Sequence, residues 1–197
     1  MVTPRARDAY SHRAADAAKA MRDVTYFVAC SLDGFIARMD ESFDWLFTDD
    51  DYGFAEFYRS VDCVVMGRKT FEVALNFIEY PYAGKRAYVF SRRAAESPLA
   101  DIEFVSEDPA RFVKKLKLQP GGRIWVVGGG AIASALLQAG LVDEMILTIH
   151  PITLGQGVPL FERHGVETRW VVNSTRTFQN GLVQVTYRKR IGAVETP

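Results

Sequence analysis

The chain has 197 residues, 48% hydrophobic and 24% charged, with Lys plus Arg and Asp plus Glu both at 24 and a formal net charge of zero. That length suits one domain with a real core, and the balanced charge excludes any electrostatic draw toward nucleic acid or an anionic membrane. With no CxxC pair and three scattered histidines, His12, His150 and His164, the clustered ligands of a zinc site are missing, so no metal is expected.

Residues 1 to 22, rich in Ala, Arg and Asp with few large apolar groups, read as a flexible arm outside a fold that spans 23 to 192. From Val24 onward, short apolar runs alternate with helical stretches, the pattern of strands and helices in an α/β domain. Strands are expected at 24 to 30, 61 to 66, 86 to 91, 102 to 105, 123 to 127, 142 to 150, 168 to 179 and 182 to 190. Helices are expected at 50 to 59, 69 to 77, 108 to 117 and 130 to 139, each covering a sheet face. Asn180-Gly181 between the last two strands is the dipeptide of a type I′ hairpin, so the carboxyl end is antiparallel and the sheet is mixed. Cys30 and Cys63 lie in apolar runs and read as reduced, buried thiols. No apolar run approaches the ~20 residues of a membrane span, and the amino terminus lacks the apolar stretch of a signal peptide, which points to the cytoplasm.

Four segments carry chemistry. Ser31-Leu-Asp-Gly-Phe-Ile-Ala follows the first strand; Asp33-Gly34 is a simple turn or the start of a pocket walled by Phe35 and by Phe43-Asp-Trp45-Leu-Phe47. Val64-Val-Met-Gly67-Arg-Lys-Thr-Phe-Glu ends a strand and opens a helix, with Arg68, Lys69 and Thr70 over its amino end. The helix dipole there prefers anions, so the two cations suit a bound phosphate, or else form a solvated basic turn. Tyr88-Val-Phe-Ser91 runs into Arg92-Arg93, two guanidinium groups that suit a 2′-phosphate or are merely solvated. Finally, Arg123-Ile-Trp-Val-Val enters Gly128-Gly129-Gly130 and then Ala131-Ile132-Ala-Ser-Ala-Leu-Leu. Three glycines exceed what a strand-to-helix turn needs, and the freed amides at the helix start suit a pyrophosphate. The glycines come too late in the chain for the Rossmann fingerprint, and Gly67-Arg-Lys-Thr lacks the spacing of a Walker loop.

In this order the four segments resemble the dihydrofolate reductase-like superfamily, most closely the reductase domain of bifunctional riboflavin-biosynthesis deaminase-reductases, over residues 24 to 190. The resemblance implies a three-layer fold, a mixed, mostly parallel sheet with helices on both faces and a carboxyl-terminal hairpin. It implies hydride transfer from NADPH to a C=N or C=O group of a small, often heterocyclic, substrate. Carried over by motif, Gly67 to Thr70 and Gly128 to Ile132 hold the pyrophosphate and adjoining ribose. Ser91, Arg92 and Arg93 lie near the adenosine 2′-phosphate, and Ala29 and Ile36 approach the nicotinamide. Asp33 faces the substrate as the first candidate for the catalytic acid, with Phe35 and Trp45 as substrate walls and Tyr80 and Tyr82 as further ones. Asp51 is the second candidate, at the place counted back from Gly67 where dihydrofolate reductases carry theirs; it is equally placed to cap a helix. Either acid needs a pKa raised by apolar walls to donate a proton near neutral pH. The zinc deaminase partner of the bifunctional enzymes is absent, since no H-x-E with P-C-x-x-C occurs. A homodimer through the carboxyl hairpin is expected, as in the riboflavin-type relatives, with a non-catalytic NADPH-binding module as the rival reading.

Overall fold

The central strands carry consecutive apolar residues, which alternate between the two faces, so both faces of the sheet have to be covered. In the computed structural model, which describes residues 21–93, 99–162 and 165–190, this is achieved by two helices on each side. In chain order the elements are β1 Val24–Ser31, β2 Phe35–Ala37, α1 Phe54–Ser60, β3 Val61–Gly67, α2 Arg68–Ala74, β4 Arg86–Phe90, β5 Ile102–Val105 and α3 Pro109–Lys117. They continue with β6 Arg123–Gly128, α4 Gly130–Gln138, β7 Glu144–His150, β8 Val158–Pro159, β9 Trp170–Thr177 and β10 Val183–Lys189.

Eight strands form one sheet in the order β5-β4-β3-β6-β1-β7-β10-β9. The pairs from β5 through β7 are parallel, and β10 runs antiparallel to both β7 and β9. Tyr26, Val65, Tyr88, Phe90 and Val126 pack with Val113 and Leu116 of α3 and Ala133 and Leu136 of α4. Their strand neighbours Val64, Met66, Ala87, Val89 and Trp125 face the other way, against Phe57 of α1 and Phe71 of α2. The period of two along β3, β4 and β6 thus divides the core into two apolar layers around one sheet. The expected α/β architecture, mixed sheet and carboxyl hairpin are all present.

Local chemistry explains the boundaries. The Asp108 carboxylate accepts from Arg111 N–H and Pro109 takes the first helical turn, so α3 starts as capping rules require. The helix expected from residue 50 begins only at Phe54, because Tyr52 and Gly53 have φ of 52° and 82°. The helix expected to reach residue 77 ends at Ala74. Two elements had no signal in the sequence: β2 and β8 are three and two residues long and form a separate ribbon. Such lengths show no periodicity.

The hairpin turn differs from the expected type I′. Phe178 and Leu182 close it by a 2.9 Å backbone bond, Gly181 N–H donates to Phe178 O, and only Gly181 takes positive φ (88°). This is a three-residue loop with a type I turn and a glycine bulge. Asn180 serves by side chain instead, accepting from Leu182 N–H through Oδ1 and donating through Nδ2 to Tyr52 Oη and the Asp49 carboxylate.

Residues 1–20 of the expected arm lie outside the described residues. Arg22, placed with that arm, belongs to the fold: it is 6% exposed and donates to Gly122 O, Asp62 Oδ2 and Cys63 Sγ. Cys30 and Cys63 are free and buried, and burial pushes both thiols up to about 11.

Candidate functional site

Parallel strands with crossover helices leave their carboxyl ends and the following helix starts on one side of the sheet. There the strand neighbours β3 and β6 bring together two turns distant in sequence. The Thr70 hydroxyl, in the first turn of α2, accepts the Gly129 N–H at 2.9 Å across 59 residues. Gly128 lies opposite Met66 in the sheet and has φ of 153°, a backbone conformation that side-chain-bearing residues rarely take. A Cβ on Gly67 would lie 3.4 Å from Ile132 Cγ1, so the two helix starts touch. Neither Gly67 nor Gly129 supplies a side-chain cap, and neither helix has an acid in its first turn. Both starts therefore present amides and positive dipole ends with no anionic side chain from their own first turns.

Within this cradle Gly130 is buried, facing Pro159 O and Glu162, and Ala131 is exposed. Arg68 donates to Glu72 at 2.8 Å and Lys69 to Glu41 at 2.9 Å; both pairs are solvent-exposed and easily exchanged for another anion. Ser91 follows β4, whose Phe90 is in register with Gly67. Its hydroxyl donates to Arg93 O at 2.8 Å and accepts from Arg93 N–H at 3.2 Å, closing a tight turn from which Arg92 and Arg93 are exposed.

β1 lies between β6 and β7. Half-buried Ala29 pairs with Thr148, and Ser31 with His150. Ile36 packs against the α3/α4 layer, and Phe35 sits in the β2–β8 ribbon against Gly157.

Asp33 is exposed and accepts three hydrogen bonds, from Ser31 Oγ at 2.6 Å, Leu154 N–H at 3.1 Å and Gly155 N–H at 2.7 Å. The Ser31 hydroxyl, then these amides, hold its carboxyl at about 2, below the usual 3.8. Asp51 accepts from Gly53 and Ala55 N–H, and those bonds lower its pKa as well; it holds the start of α1. The expectation that apolar walls raise one of these acids is therefore reversed at both. Each is an exposed, hydrogen-bonded carboxylate that orders a loop.

Trp45 is buried, with its ring centroid 5.2 Å from that of His150, and Phe47 packs on the same imidazole at 5.1 Å. Phe43 stacks on Phe77. Tyr80 and Tyr82 meet edge to face in the layer beneath α1 and α2, with Phe71 against the first and Trp125 against the second; they are core there rather than pocket walls. Sequence reasoning set His150 aside as isolated and did not single out Thr148 or Gln184. Gln184 Nε2 donates to Thr148 Oγ1 at 3.2 Å and to Tyr52 O at 3.1 Å, joining β10, β7 and the loop before α1. The available signal was His150 itself, the last residue of an expected strand just before Pro151. Among the described residues no group of three potential ligands is placed to hold a metal ion, and no helix is long and apolar enough to cross a membrane.

Comparison with known proteins gives a consistent answer. The chain matches the RibD C-terminal domain over residues 22–184. It is 35% identical over 161 residues to the uncharacterized protein YwjB of Bacillus subtilis, covering 80% of this chain and 92% of that protein. It is 36% identical over 182 residues to YyaP of the same organism, covering 84% and 94%. A putative riboflavin biosynthesis protein from Shewanella sp. PV-4 superposes with a TM-score of 0.77 at 30% identity, covering 86% of this chain and 99% of that one. A deaminase/5-amino-6-(5-phosphoribosylamino)uracil reductase from Thermotoga maritima shares the fold, with a TM-score of 0.69 at 16% identity, and this chain spans 58% of its length. The chain thus belongs to the RibD C-terminal domain family.

Proposed function

We propose that the protein is an NADPH-dependent reductase that transfers a hydride to a C=N or C=O group of a small, planar substrate of the pterin or aminopyrimidine kind. The observation that carries this reading is the Gly129 N–H to Thr70 Oγ1 bond, which joins two uncapped helix starts into one cradle. The residues fit a dinucleotide: with the Gly129 N–H taken by Thr70 and that of Ile132 by Gly129 O, the amides of Arg68 to Thr70 and of Gly130 and Ala131 at the two helix starts suit a pyrophosphate, and exposed Arg92 and Arg93 suit the 2′-phosphate of NADPH. When bound, NADPH supplies the hydride. The chain's own part is to orient both ligands over β1, at Ala29, and to exclude water with Trp45 and Phe47. The family membership and the Shewanella and Thermotoga relatives, named for riboflavin biosynthesis and for a reductase, support the same class of reaction.

Asp33 in this reading orders the loop at Leu154 and Gly155, and the proton for the reduced product comes from solvent. The low pKa of Asp33 and the lowered one of Asp51 also favour a second reading, a module that binds NADPH without turning it over. Single-turnover oxidation of bound NADPH with a panel of pterins and aminopyrimidine ribotides separates the two. Oxidation above the substrate-free rate establishes the reductase; NADPH binding with no oxidation by any of them establishes the sensor. The same reading includes a homodimer in which the β9 edge meets a second copy.

A further inference from the structure

Trp45 Nε1 and His150 Nε2 are two of the three buried side-chain polar atoms that lack a hydrogen-bond partner among the described residues. The two residues are 7% and 3% exposed and touch edge to face. Leaving such atoms unpaired costs stability, and native proteins seldom tolerate it without a reason. Nearby polar groups are matched: Gln184 is bonded to Thr148 and to Tyr52 O.

The chemistry of the pair is defined. His150 Nδ1 lies 3.3 Å from Thr148 O, which only an N–H can satisfy, so Nδ1 carries the hydrogen and Nε2 presents a bare lone pair. Burial lowers the imidazole pKa and keeps the ring neutral. The indole Nε1–H is a donor only. One donor and one acceptor therefore stand in neighbouring rings, with Phe47 as an apolar wall.

On the hydride-transfer reading, their position at the strand ends suits the acceptor. His150 ends β7 in register with Ser31 at the end of β1, and β1 separates β7 from β6 with its glycine turn. Two strand spacings, about 10 Å, separate the glycine turn from His150, a span that a cofactor and a second ring lying across the strand ends can bridge. Phe27 and Ile146 pack against the α1/α2 layer, and the alternation of β1 and β7 puts Ala29, Ser31, Thr148 and His150 on that same face. Trp45 comes from residues 38–47, whose backbone bonds, Arg38 to Ser42, Glu41 to Arg38 and Leu46 to Phe43, are internal to the segment. Besides the exposed Glu41–Lys69 ion pair, the segment is held by its aromatic rings, Phe43 on Phe77 and Trp45 and Phe47 on His150, so a ligand that reaches the pair takes the place of the Trp45 and Phe47 contacts with His150.

We propose that Trp45 Nε1–H and His150 Nε2 are the specificity-determining pair for the acceptor, taking the edge of a planar heterocycle in which a ring N–H adjoins a carbonyl. The ring N–H donates to His150 Nε2 and the carbonyl accepts from Trp45. This rests on the hydride-transfer reading of the site for the ligand's place, not for its hydrogen-bonding edge.

The test uses lumazine, which carries that edge, and 1,3-dimethyllumazine, which lacks the N–H, titrated into the full chain by calorimetry with and without saturating NADP. Lumazine is expected to bind, with the dimethyl analogue about 100-fold weaker, because a site built for an N–H rejects the analogue without one. Trp45→Phe and His150→Phe are expected to weaken lumazine about ten-fold or more while leaving NADP affinity within about two-fold. In the wild-type chain the Trp45 indole proton is expected to shift downfield on adding lumazine, which requires no variant to fold. Equal binding of the two lumazines, no saturable lumazine binding, or an unmoved indole proton overturns the proposal. Failure of NADP to bind the wild type overturns the hydride-transfer reading instead, and the lumazine comparison without NADP still decides the role of the pair.

Discussion

At the scale of single residues, Asp33 shows how environment decides what a carboxyl can do. Three donors, a hydroxyl and two amides, converge on it, and each favours the ionised form. Its folded pKa of about 2 lies below the ordinary 3.8, so the charged form stabilises the fold above 3.8, and that contribution is lost as pH falls through about 2. Asp33→Asn removes the charge and turns an amide toward one of the donors. The variant is expected to unfold at lower urea than wild type, with a gap that is constant near neutral pH and narrows from 3.8 toward 2. Urea midpoints measured across that range check it; a pH-independent gap would mean that the charge is not what holds Leu154 and Gly155. Because the role depends on backbone amides 121 and 122 residues away, the sequence offered Asp33 as a turn residue before Gly34 but could not show it as a loop anchor.

At the scale of elements, the cradle depends on one bond between α2 and the turn before α4. Thr70→Val keeps the shape and removes the acceptor, leaving the Gly129 N–H unpaired at a cost of about 1–3 kcal/mol. The expected result is NADP binding weakened about ten-fold or more with a small loss of thermal stability, read by calorimetry and by thermal unfolding. Unchanged NADP affinity would separate the Thr70 tie from cofactor binding. The elements themselves were largely readable, since β3, β4 and β6 are continuous apolar runs and α3 opens on Asp108-Pro109. Their misread ends share a cause. Tyr52 with positive φ and the glycine bulge at Gly181 are local backbone states fixed by tertiary partners, Gln184 and Asn180 among them, and carry no periodic signal.

At the scale of the whole molecule, the sheet closes on β5 at one side and β9 at the other. β9 is exposed along nearly its whole length, with Val171 and Val172 50% and 56% exposed, so its free edge is the place where a second copy can add strands. Light scattering at micromolar concentration is expected to give twice the 22.1 kDa of one chain, and Val172→Lys to give one. A wild-type mass of one chain removes the dimer from the proposal.

The sequence by itself determined the class of fold and the place of the two strand-to-helix turns at 67–70 and 128–130. Strand and helix periodicity, the three glycines at 128–130 and the Gly67-to-Thr70 turn are local patterns, and local patterns survive in a linear reading. Only the tertiary structure decided which residues share a place. Parallel pairing of β3 with β6 put Thr70 on Gly129, and pairing of β1 with β7 put His150 beside Ser31 and under Trp45. The Leu154 and Gly155 amides on Asp33, which add to the local Ser31 bond, and the juxtaposition of Trp45 and His150 are consequences of contacts between segments about a hundred residues apart. Burial and hydrogen bonding are properties of those contacts, which no single segment contains.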